Sequence, residues 1–497
     1  MNPDVLVVGA GPVGLAMAGE LRRYGLSVRI IDKSAQRTDK SKALVVWSRT
    51  LELLDRAGCT PAFLAAGMKV LAASIRAEAR EIARVRLDGM ETPYPFALMI
   101  PQSETERLLE EHLDGHGVRV ERRTELARFA TDADGVDATI LRADGSEEAV
   151  RASWLIGCDG AHSTVRHALG MGFEGETTPS DWILADVHLA GVKADPPEIA
   201  IFWHRDGTMA LFPIAPGRYR MIADVGDASG PDRRADPSLA EVQALLDRRG
   251  PGGLTASDPI WLASFRINER KVADYRSGRA FLAGDAAHIH SPAGGQGMNT
   301  GIQDACNLAW KLALVHRGLA ASEPLLSSYN IERGAVGRQV LADAGRLTAL
   351  AVLKGAVLQE IRNVAASLVF GLSPARKAMA NKLAELSVGY PTSPLTAPSH
   401  HGPGHPAPGE RAPLRGDAQP VGAGDTPRFV LFGPSDVDGA VLIARHPDVL
   451  EPEVRAPFSR DGLWLVRPDG YVAAVARKGD WAAIEAHLRR LLRRGRG

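Results

Sequence analysis

Two histidines, an aspartate and a run of glycines lie close together in the segment from Gly284 to Asn299, GDAAHIHSPAGGQGMN. These residue types are compatible with a metal site, a hydrolase motif, a phosphate-binding loop or an irregular loop. His288 and His290 have no accompanying set of Cys, His or Asp ligands, so we expect no metal. Neither Ser163 nor Ser291 lies in a G-x-S-x-G sequence, which disfavours a serine hydrolase.

A glycine turn near the N-terminus could bind a phosphate group. The apolar run DVLVV at residues 4–8 is typical of a buried parallel strand, and Gly9-Ala10-Gly11-Pro12-Val13-Gly14 follows it directly, before a helical pattern. Such glycines permit a tight turn, close approach of backbone to a pyrophosphate, and helix–strand packing. Asp32 ends the second predicted strand, where it can accept a hydrogen bond from an adenosine ribose. The pattern predicts a bound dinucleotide and leaves NAD and FAD open.

A third motif, CDGAHSTVR at Cys158 to Arg166, follows a predicted strand and opens a helix. The glycine turn, this motif and GDAAHIHSPAGGQGMNTGIQDACNLAWKL occur in this order and at characteristic separations. Together they resemble the FAD-dependent aromatic hydroxylases, the single-component class A flavoprotein monooxygenases typified by p-hydroxybenzoate hydroxylase. The resemblance covers roughly residues 1–390. It also extends to phenol-hydroxylase and polyketide-hydroxylase relatives through GERAPL at 409–414 and LVRPDGYVA at 465–473.

The resemblance and the sequence patterns together predict an α/β protein of several parts. A Rossmann-like FAD-binding domain spans residues 1–175 and continues, with long helices, over 275–390. An inserted antiparallel-sheet substrate domain occupies 176–274, where residues 180–225 alternate in the manner of strands. The proline-rich segment 391–408 is a candidate linker. Residues 409–497 are expected to form a thioredoxin-like domain, which lacks CxxC and therefore dithiol chemistry.

The motifs, the predicted sheet insertion and the family resemblance together give a set of candidate site residues. The cofactor-binding residues are Gly9, Gly11, Pro12, Gly14, Asp32, Lys42, Gln102, Asp159, Asp285, Gly295, Gly297, Met298 and Asn299. The residues assigned to catalysis are Pro292, Gly294 and Gly295, which would shape the loop where oxygen reaches the flavin. The candidate substrate-binding residues are Trp203, Met209, Phe212 and Phe265, for which ordinary core packing is an open alternative. Asp304 is expected to support the helix or the cofactor and not to act as a general base.

One position departs from the family pattern. The family often has an arginine followed by alanine soon after the second strand, whereas this chain has Lys42 followed by Ala43. Lysine keeps the charge but loses the bidentate fork of arginine. Arg37 or Arg49 could compensate for that loss.

The resemblance implies a FAD- and NAD(P)H-dependent monooxygenase. With NADPH or NADH and O2 it would hydroxylate a phenolic or polycyclic aromatic substrate through a flavin C4a-hydroperoxide. The alternative is a flavin-dependent reductase or a non-hydroxylating oxidoreductase on the same fold. An NAD-dependent dehydrogenase needs only the glycine turn and would leave CDGAHSTVR and the Gly284–Asn299 segment unexplained. A non-catalytic flavin-binding scaffold would keep the fold without turnover.

Composition bounds the partners and the compartment. The chain has 497 residues, a formal net charge of zero and 45% hydrophobic residues, so nothing in it favours nucleic acid or a membrane. Its three widely spaced cysteines form no disulfide framework, which fits a cytoplasmic enzyme. We expect a monomer or a homodimer.

Overall fold

The structure is a computed structural model that describes residues 2–78, 80–193, 197–228, 230, 233–353, 355–398, 405–414 and 419–492. In chain order its strands are β1 (Val5–Val8), β2 (Val28–Asp32), β3 (Val45–Val46), β4 (Met68–Val70), β5 (Ala72–Ala77), β6 (Arg80–Arg86), β7 (Ala97–Met99), β8 (Val120–Arg122), β9 (Glu125–Thr131), β10 (Val136–Leu141), β11 (Glu147–Ala152), β12 (Trp154–Gly157), β13 (Glu174–Ala190), β14 (Ile199–His204), β15 (Gly207–Ala215), β16 (Arg218–Asp227), β17 (Thr255–Lys271), β18 (Arg276–Ser277), β19 (Ala280–Leu282), β20 (His288–Ile289), β21 (Val430–Phe432), β22 (Gly462–Val466) and β23 (Val472–Arg477).

The helices are α1 (Pro12–Arg23), α2 (Ser48–Asp55), α3 (Thr60–Ala66), α4 (Gln102–Gly115), α5 (Thr164–Ala168), α6 (Leu239–Arg249), α7 (Gly297–His316), α8 (Ser322–Leu325), α9 (Ser327–Ala351), α10 (Ala356–Gly371), α11 (Ser373–Leu383), α12 (Val437–Arg445) and α13 (Trp481–Leu492), with a short 3-10 helix at Gly284–Ala286. Among the described residues, no helix is long and apolar enough to cross a membrane.

A six-stranded sheet in the order β18-β19-β12-β1-β2-β8 forms the centre of the first domain. Strand β1 pairs in parallel with both β2 and β12, and each of its residues is buried. An apolar run without alternation is what a strand covered on both faces requires. The predicted β–α–β unit is therefore confirmed, and its carboxyl edge carries the glycine turn.

An eight-stranded sheet, in the order β20-β17-β13-β16-β15-β14-β5-β6, is the second large element. Most of it comes from the predicted insertion at 176–274. However, β5 and β6 precede that insertion by about a hundred residues, and β5 pairs in parallel with β14. Residues 72–86, which the sequence patterns place in the FAD-binding part, are therefore strands of the eight-stranded sheet, as is β20.

The C-terminal part is a small α/β unit. Its three strands form the antiparallel sheet β21-β22-β23, accompanied by α12 and α13. The proline-rich segment before it is not a free linker where the structure describes it. Tyr390 N donates to Gly409 O at 2.7 Å, Ala397 N donates to Ala473 O at 2.7 Å, and Leu395 is fully buried. Residues 399–404 of the predicted linker lie outside the described residues.

Buried ion pairs join the C-terminal unit to the helices of the first domain. Arg467 donates to both carboxylate oxygens of Glu332 on α9, at 2.6 and 2.9 Å, and also pairs with Asp469. Lys311 on α7 lies 2.7 Å from the same Glu332 carboxylate. All four side chains are almost completely shielded from solvent. The C-terminal unit is thus tied to α7, the helix that begins in the Gly284–Asn299 segment.

Candidate flavin site

The glycine turn after β1 has the geometry that its sequence predicts. Gly9 has φ of +99°, and a Cβ there would come within 2.4 Å of the Cys158 carbonyl oxygen. A Cβ on Gly14 would lie 1.8 Å from the Gly9 oxygen, so the helix packs directly on the turn. At Gly11, by contrast, a Cβ would meet no atom within 4 Å. Gly9 and Gly14 are required by packing, whereas Gly11 leaves open space in front of the backbone.

Asp32 holds this turn from the end of β2. Its Oδ2 accepts a hydrogen bond from Ala10 N at 2.7 Å, and its Oδ1 accepts one from Ser34 N at 2.7 Å. The carboxylate also lines a cleft of about 330 Å³ in front of the glycine turn. Each carboxylate oxygen has a second lone pair that can accept a hydrogen bond from an adenosine ribose. That contact stays a prediction.

The cleft brings together several of the predicted cofactor residues. Those that line it are Gly9, Gly11, Asp32, Lys42, Gln102 and Asp159. Arg37 also lines it, and its guanidinium lies 3.3 Å from Glu110, which offsets part of its positive charge. Arg49 cannot supply charge to the cleft, because its buried guanidinium binds Glu52 and the Asp469 carbonyl. The suggestion that Arg49 compensates for Lys42 is therefore wrong.

The segment containing Lys42 is held from two sides. Arg220 on β16 donates from Nη1 to the Lys42 carbonyl at 3.0 Å, while its other nitrogens bind both oxygens of Asp186 at 2.7 Å. Gln102 accepts from Ala43 N at 3.0 Å and donates to Glu106. Gln102 thus binds the backbone of this segment, and Arg220 links the segment to the eight-stranded sheet. The sequence reading missed Arg220, because its partners lie far away along the chain.

Asp159 lines the cleft just after the end of β12 and holds the loop that leads into α5. Its oxygens accept from Ser163 Oγ at 2.5 Å and from Val165 N at 3.2 Å, at the start of α5. Burial raises the pKa of this carboxyl, while those hydrogen bonds oppose the shift. The geometry fits an indirect role through the loop it holds.

The two histidines of the Gly284–Asn299 segment have structural partners. His288 Nε2 lies 2.9 Å from Asp304 Oδ2, which also accepts from Gly284 N at 2.9 Å. His290 Nδ1 donates to the Ser291 carbonyl at 2.9 Å, and burial lowers its pKa to about 4. Within the described part of the chain, no group of three potential metal ligands occurs.

Asp304 and Asp285 take different positions in this segment. The fully buried Asp304 binds Arg333 as well as His288, so it supports the loop, as expected. Asp285 lies in the short 3-10 helix with its side chain exposed toward solvent. Its contact to a flavin hydroxyl stays a prediction.

Trp47 and Asn299 fasten the glycine loop to β3. Asn299 accepts from Trp47 N at 2.8 Å and donates to the carbonyls of Val45 and Gly295, both at 2.9 Å. Trp47 Nε1 donates to the Gly294 carbonyl at 2.9 Å. Gly294 and Gly295 both have positive φ, at +86° and +63°. The loop is a preformed shape, and Trp47 had no local sequence signal that distinguished it.

The loop leads directly into α7, which begins at Gly297. Met298 and Asn299 lie in its first turn and are buried, and that turn carries no acidic residue. A Cβ on Gly297 would lie 3.5 Å from the His290 ring. Gly295 N donates to the Pro292 carbonyl at 2.9 Å, closing a turn at the proposed oxygen-reactive position. The positive end of a long helix therefore points into the glycine loop.

The four candidate substrate residues do not share one surface. Phe212 is half-buried opposite Arg220, and Phe265 lies opposite Trp182, with ring centroids 6.4 Å apart. Met209 is fully buried in a separate core cluster together with α6. The structure therefore contradicts Met209 as a pocket wall, because its side chain points to the other face of the sheet.

Trp203 is covered by a helix. The Arg362 guanidinium of α10 lies 4.2 Å from its ring centroid, and only 9% of Trp203 is exposed. Phe212 and Phe265 remain as candidates for the substrate wall.

Glu385, next to the start of α7, gives the site a predicted pH response. It accepts from Thr300 Oγ1 at 2.8 Å and from Gln303 Nε2 at 2.7 Å, and burial raises its pKa to about 8. The neutral carboxyl is favoured in the folded state, so its contribution to stability is complete below the unfolded pKa of about 4.3 and is lost as pH rises toward 8. We expect Glu385→Gln to leave the melting temperature almost unchanged at about pH 4, where the carboxyl is mostly protonated in both the folded and the unfolded state. At about pH 9 it should raise the free energy of unfolding by up to a few kcal/mol.

Thermal melts at both pH values measure this difference. The exposed Glu453, whose substitution by glutamine should change neither melt, is the matched control. Equal effects of Glu385→Gln at the two pH values would contradict the prediction.

The fold and the cleft define a protein of the dinucleotide-binding flavoprotein class. The sequence profile of the FAD binding domain matches residues 2–344. The chain is 37% identical to 6-methylpretetramide 4-monooxygenase of Streptomyces rimosus, over 99% of this chain and 94% of that one. It is 33% identical to rifampicin monooxygenase of Rhodococcus hoagii, over 95% of this chain and 94% of that one.

Solved structures agree with these relatives. The anhydrotetracycline hydroxylase OxyS from Streptomyces rimosus superposes with a TM-score of 0.80 at 30% identity, over 99% of both chains. The chain belongs to the FAD-dependent aromatic hydroxylase family, and it is an FAD-dependent monooxygenase. The reductase alternative is not favoured.

Proposed function

We propose that this enzyme hydroxylates a polycyclic aromatic polyketide, with NADPH or NADH as reductant and O2 as oxidant. The observation that carries the proposal is the nearly full-length match to a relative named for a 6-methylpretetramide substrate. The match to a hydroxylase of anhydrotetracycline, also over the whole chain, supports the same substrate class. The three unpaired, buried cysteines support a cytoplasmic enzyme.

The residues of the cleft fit an FAD. Gly11 leaves open the space that a pyrophosphate needs against the N-terminus of α1. Lys42 and Arg37 supply positive charge, and Asp32 and Asp285 offer carboxylates to sugar or ribityl hydroxyls. Bound FAD supplies electron transfer from the nicotinamide and activation of O2. The protein contributes binding, orientation and exclusion of water.

The substrate would lie between the glycine loop and the eight-stranded sheet. Phe212 belongs to an apolar cluster that also contains Val45 and Trp47, the residues beside the loop. Phe265 and Trp182 add two more aromatic rings to the sheet. Apolar walls of this kind orient a flat aromatic ring and keep water from the reacting centre. The pattern GxGxxG occurs at Gly9–Gly14 and again at 170–175 (GMGFEG), but the second match leads into strand β13 and opens no helix. The absence of a second strand–turn–helix unit of this kind among the described residues supports a nicotinamide cofactor that binds only transiently.

Turnover of purified holoenzyme tests the proposal. Tetracyclic and angular aromatic polyketides and simple phenols are each incubated with NADPH or NADH under ¹⁸O2. We expect one labelled oxygen in a polycyclic product, formed in step with nicotinamide oxidation. Labelled product from simple phenols alone would refute the substrate class. A reduced, unlabelled product would instead support the reductase alternative.

Arg220 is expected to control how firmly FAD is held. Arg220→Lys keeps a charge beside Asp186 but cannot bind both its oxygens and the Lys42 carbonyl together. We expect the FAD dissociation constant to rise roughly tenfold, equivalent to about 1.4 kcal/mol. Fluorescence titration of the deflavinated protein measures this change.

Arg218→Lys is the matched control for this experiment. Arg218 lies on the same strand and binds only the Asp258 carbonyl among the described contacts. An FAD affinity equal to that of Arg218→Lys would show that the Lys42 contact of Arg220 is dispensable.

A further inference from the structure

Helix α10 has its polar side against the protein and its apolar side toward solvent. The residues that it buries are Gln359, Arg362 and Asn363. Gln359 donates to the Leu353 carbonyl at 2.8 Å, and Arg362 donates to the Leu350 carbonyl at 3.0 Å. This is the reverse of the pattern of a helix on the surface of a monomer. The solvent-facing side of α10 is therefore expected to pack against an apolar partner.

The exposed side of α10 is a continuous apolar stripe. Its members and their exposed fractions are Val357 (74%), Leu358 (53%), Ile361 (60%), Val364 (45%), Leu368 (71%), Val369 (53%) and Leu372 (63%), the last directly after the helix. Spacings of three and four residues keep these side chains on one side. Together they offer roughly 500 Å² of apolar surface, in the upper part of the roughly 300–600 Å² of the largest patch on a typical monomer, which is often functional. This is also most of the roughly 800 Å² that each partner of a standard interface buries.

The charges around the stripe favour a protein partner over an anionic membrane. Arg80 lies 3.7 Å from Glu360, and Lys377 lies 2.7 Å from Glu91. Arg86 pairs with Asp88. These neighbouring cations pair with carboxylates, and Arg376, just beyond the stripe, donates to the Phe370 and Gly371 carbonyls and to Ser373. Interfacial membrane helices instead present unpaired lysine and arginine to lipid headgroups.

We propose that the α10 stripe is a homodimer interface, in which the α10 helices of two copies pack antiparallel about a twofold axis between Val364 and Ala365. This register places Ile361 opposite Leu368 of the partner subunit and Val357 opposite Leu372 of the partner subunit. The stripe is thus self-complementary, as an isologous interface requires. The small Ala365 at the axis permits close approach of the two helices.

The oligomeric state of the full-length holoenzyme tests the interface. Sedimentation over a wide concentration range should give a dimer for the unsubstituted protein. Ile361→Glu combined with Leu368→Glu should raise the dimer dissociation constant at least about 100-fold, because both side chains would be central. The melting temperature of the separated monomers should stay close to that of an unsubstituted monomer. Ile260→Glu, at an exposed isoleucine on β17, is the matched control and should remain dimeric.

Single cysteines test the register. The native cysteines Cys59, Cys158 and Cys306 are buried, so an added thiol reports the interface. Val364→Cys should crosslink, because the two copies would be offset by only about 1.5 Å along the helix axis. Val357→Cys should not, since its two copies would lie about 22 Å apart along that axis.

Three outcomes would overturn the proposal. The first is an unsubstituted protein that is monomeric at every concentration. A monomer whose stripe binds phosphatidylglycerol vesicles, so that the protein sediments with them, is one form of this outcome. The second is a dimer that survives the double glutamate substitution. The third is crosslinking at Val357→Cys, because parallel helices would bring together the two copies of every residue in the stripe.

Discussion

Gly11→Leu should yield a folded protein that no longer retains FAD. A Cβ at this position would meet no protein atom within 4 Å, and the φ of −76° at Gly11 is open to any residue, so we expect the fold to accept the substitution. The added atoms would fill the space that a pyrophosphate must occupy against the amides of the turn. We expect the FAD dissociation constant to rise at least 100-fold, equivalent to about 2.7 kcal/mol. Fluorescence titration of deflavinated protein measures the affinity, and thermal denaturation measures the fold.

Two other glycines frame this experiment. Gly115→Leu, at an exposed helix end with equally free surroundings, should change neither affinity nor stability greatly. Gly9→Leu should prevent folding, because its Cβ would collide with the Cys158 carbonyl. If Gly11→Leu binds FAD as tightly as Gly115→Leu does, the cleft is not the pyrophosphate site.

Arg467→Met should destabilise the whole protein, although the residue lies in the C-terminal unit. The substitution leaves Glu332 and Asp469 buried without their strongest partner. Removing one member of a buried ion pair typically costs 3–5 kcal/mol, and we expect a loss of about 3 kcal/mol in the free energy of unfolding. Lys311 keeps its contact with Glu332 and moderates the effect.

Chemical denaturation with a flavin probe and a tryptophan probe gives the measurement. Arg477→Met, at the exposed end of β23, is the control for the loss of an arginine from the same sheet. A loss for Arg467→Met no larger than for Arg477→Met would contradict the prediction. Separate transitions for the two probes would show that the protein does not unfold as one cooperative unit.

The parts of the site that follow from short stretches of sequence could be predicted. The turn from Gly9 to Gly14 depends on a strand, three glycines and a helix that are adjacent in the chain, and each is recognisable locally. The same holds for the glycine loop before α7. Asp304 could be assigned a supporting role, and its contacts with His288 and Arg333 agree.

The parts that depend on distant pairing could not be predicted. Apolar and polar residues alternate over 72–86 as in many strands, and only the pairing of β5 with β14 shows that this segment belongs to the eight-stranded sheet. Met209 and Phe212 both lie on β15, but alternation alone does not tell which face meets α6 and which meets the flavin loop. The proline-rich segment resembles a linker by composition. It is packed because Ala397 finds a backbone partner in β23.

The strand order of the central sheet also bears on how the chain folds. Strand β1 has β12 as a neighbour, and β12 in turn pairs with β19, so the sheet joins segments more than a hundred residues apart. Such non-local parallel pairing has a high contact order, and folding is correspondingly slow. During synthesis the edge of β12 stays unpaired until residues 280–282 have left the ribosome. The nascent chain is therefore expected to depend on chaperones over this interval, and its yield in a host should respond to translation speed and temperature.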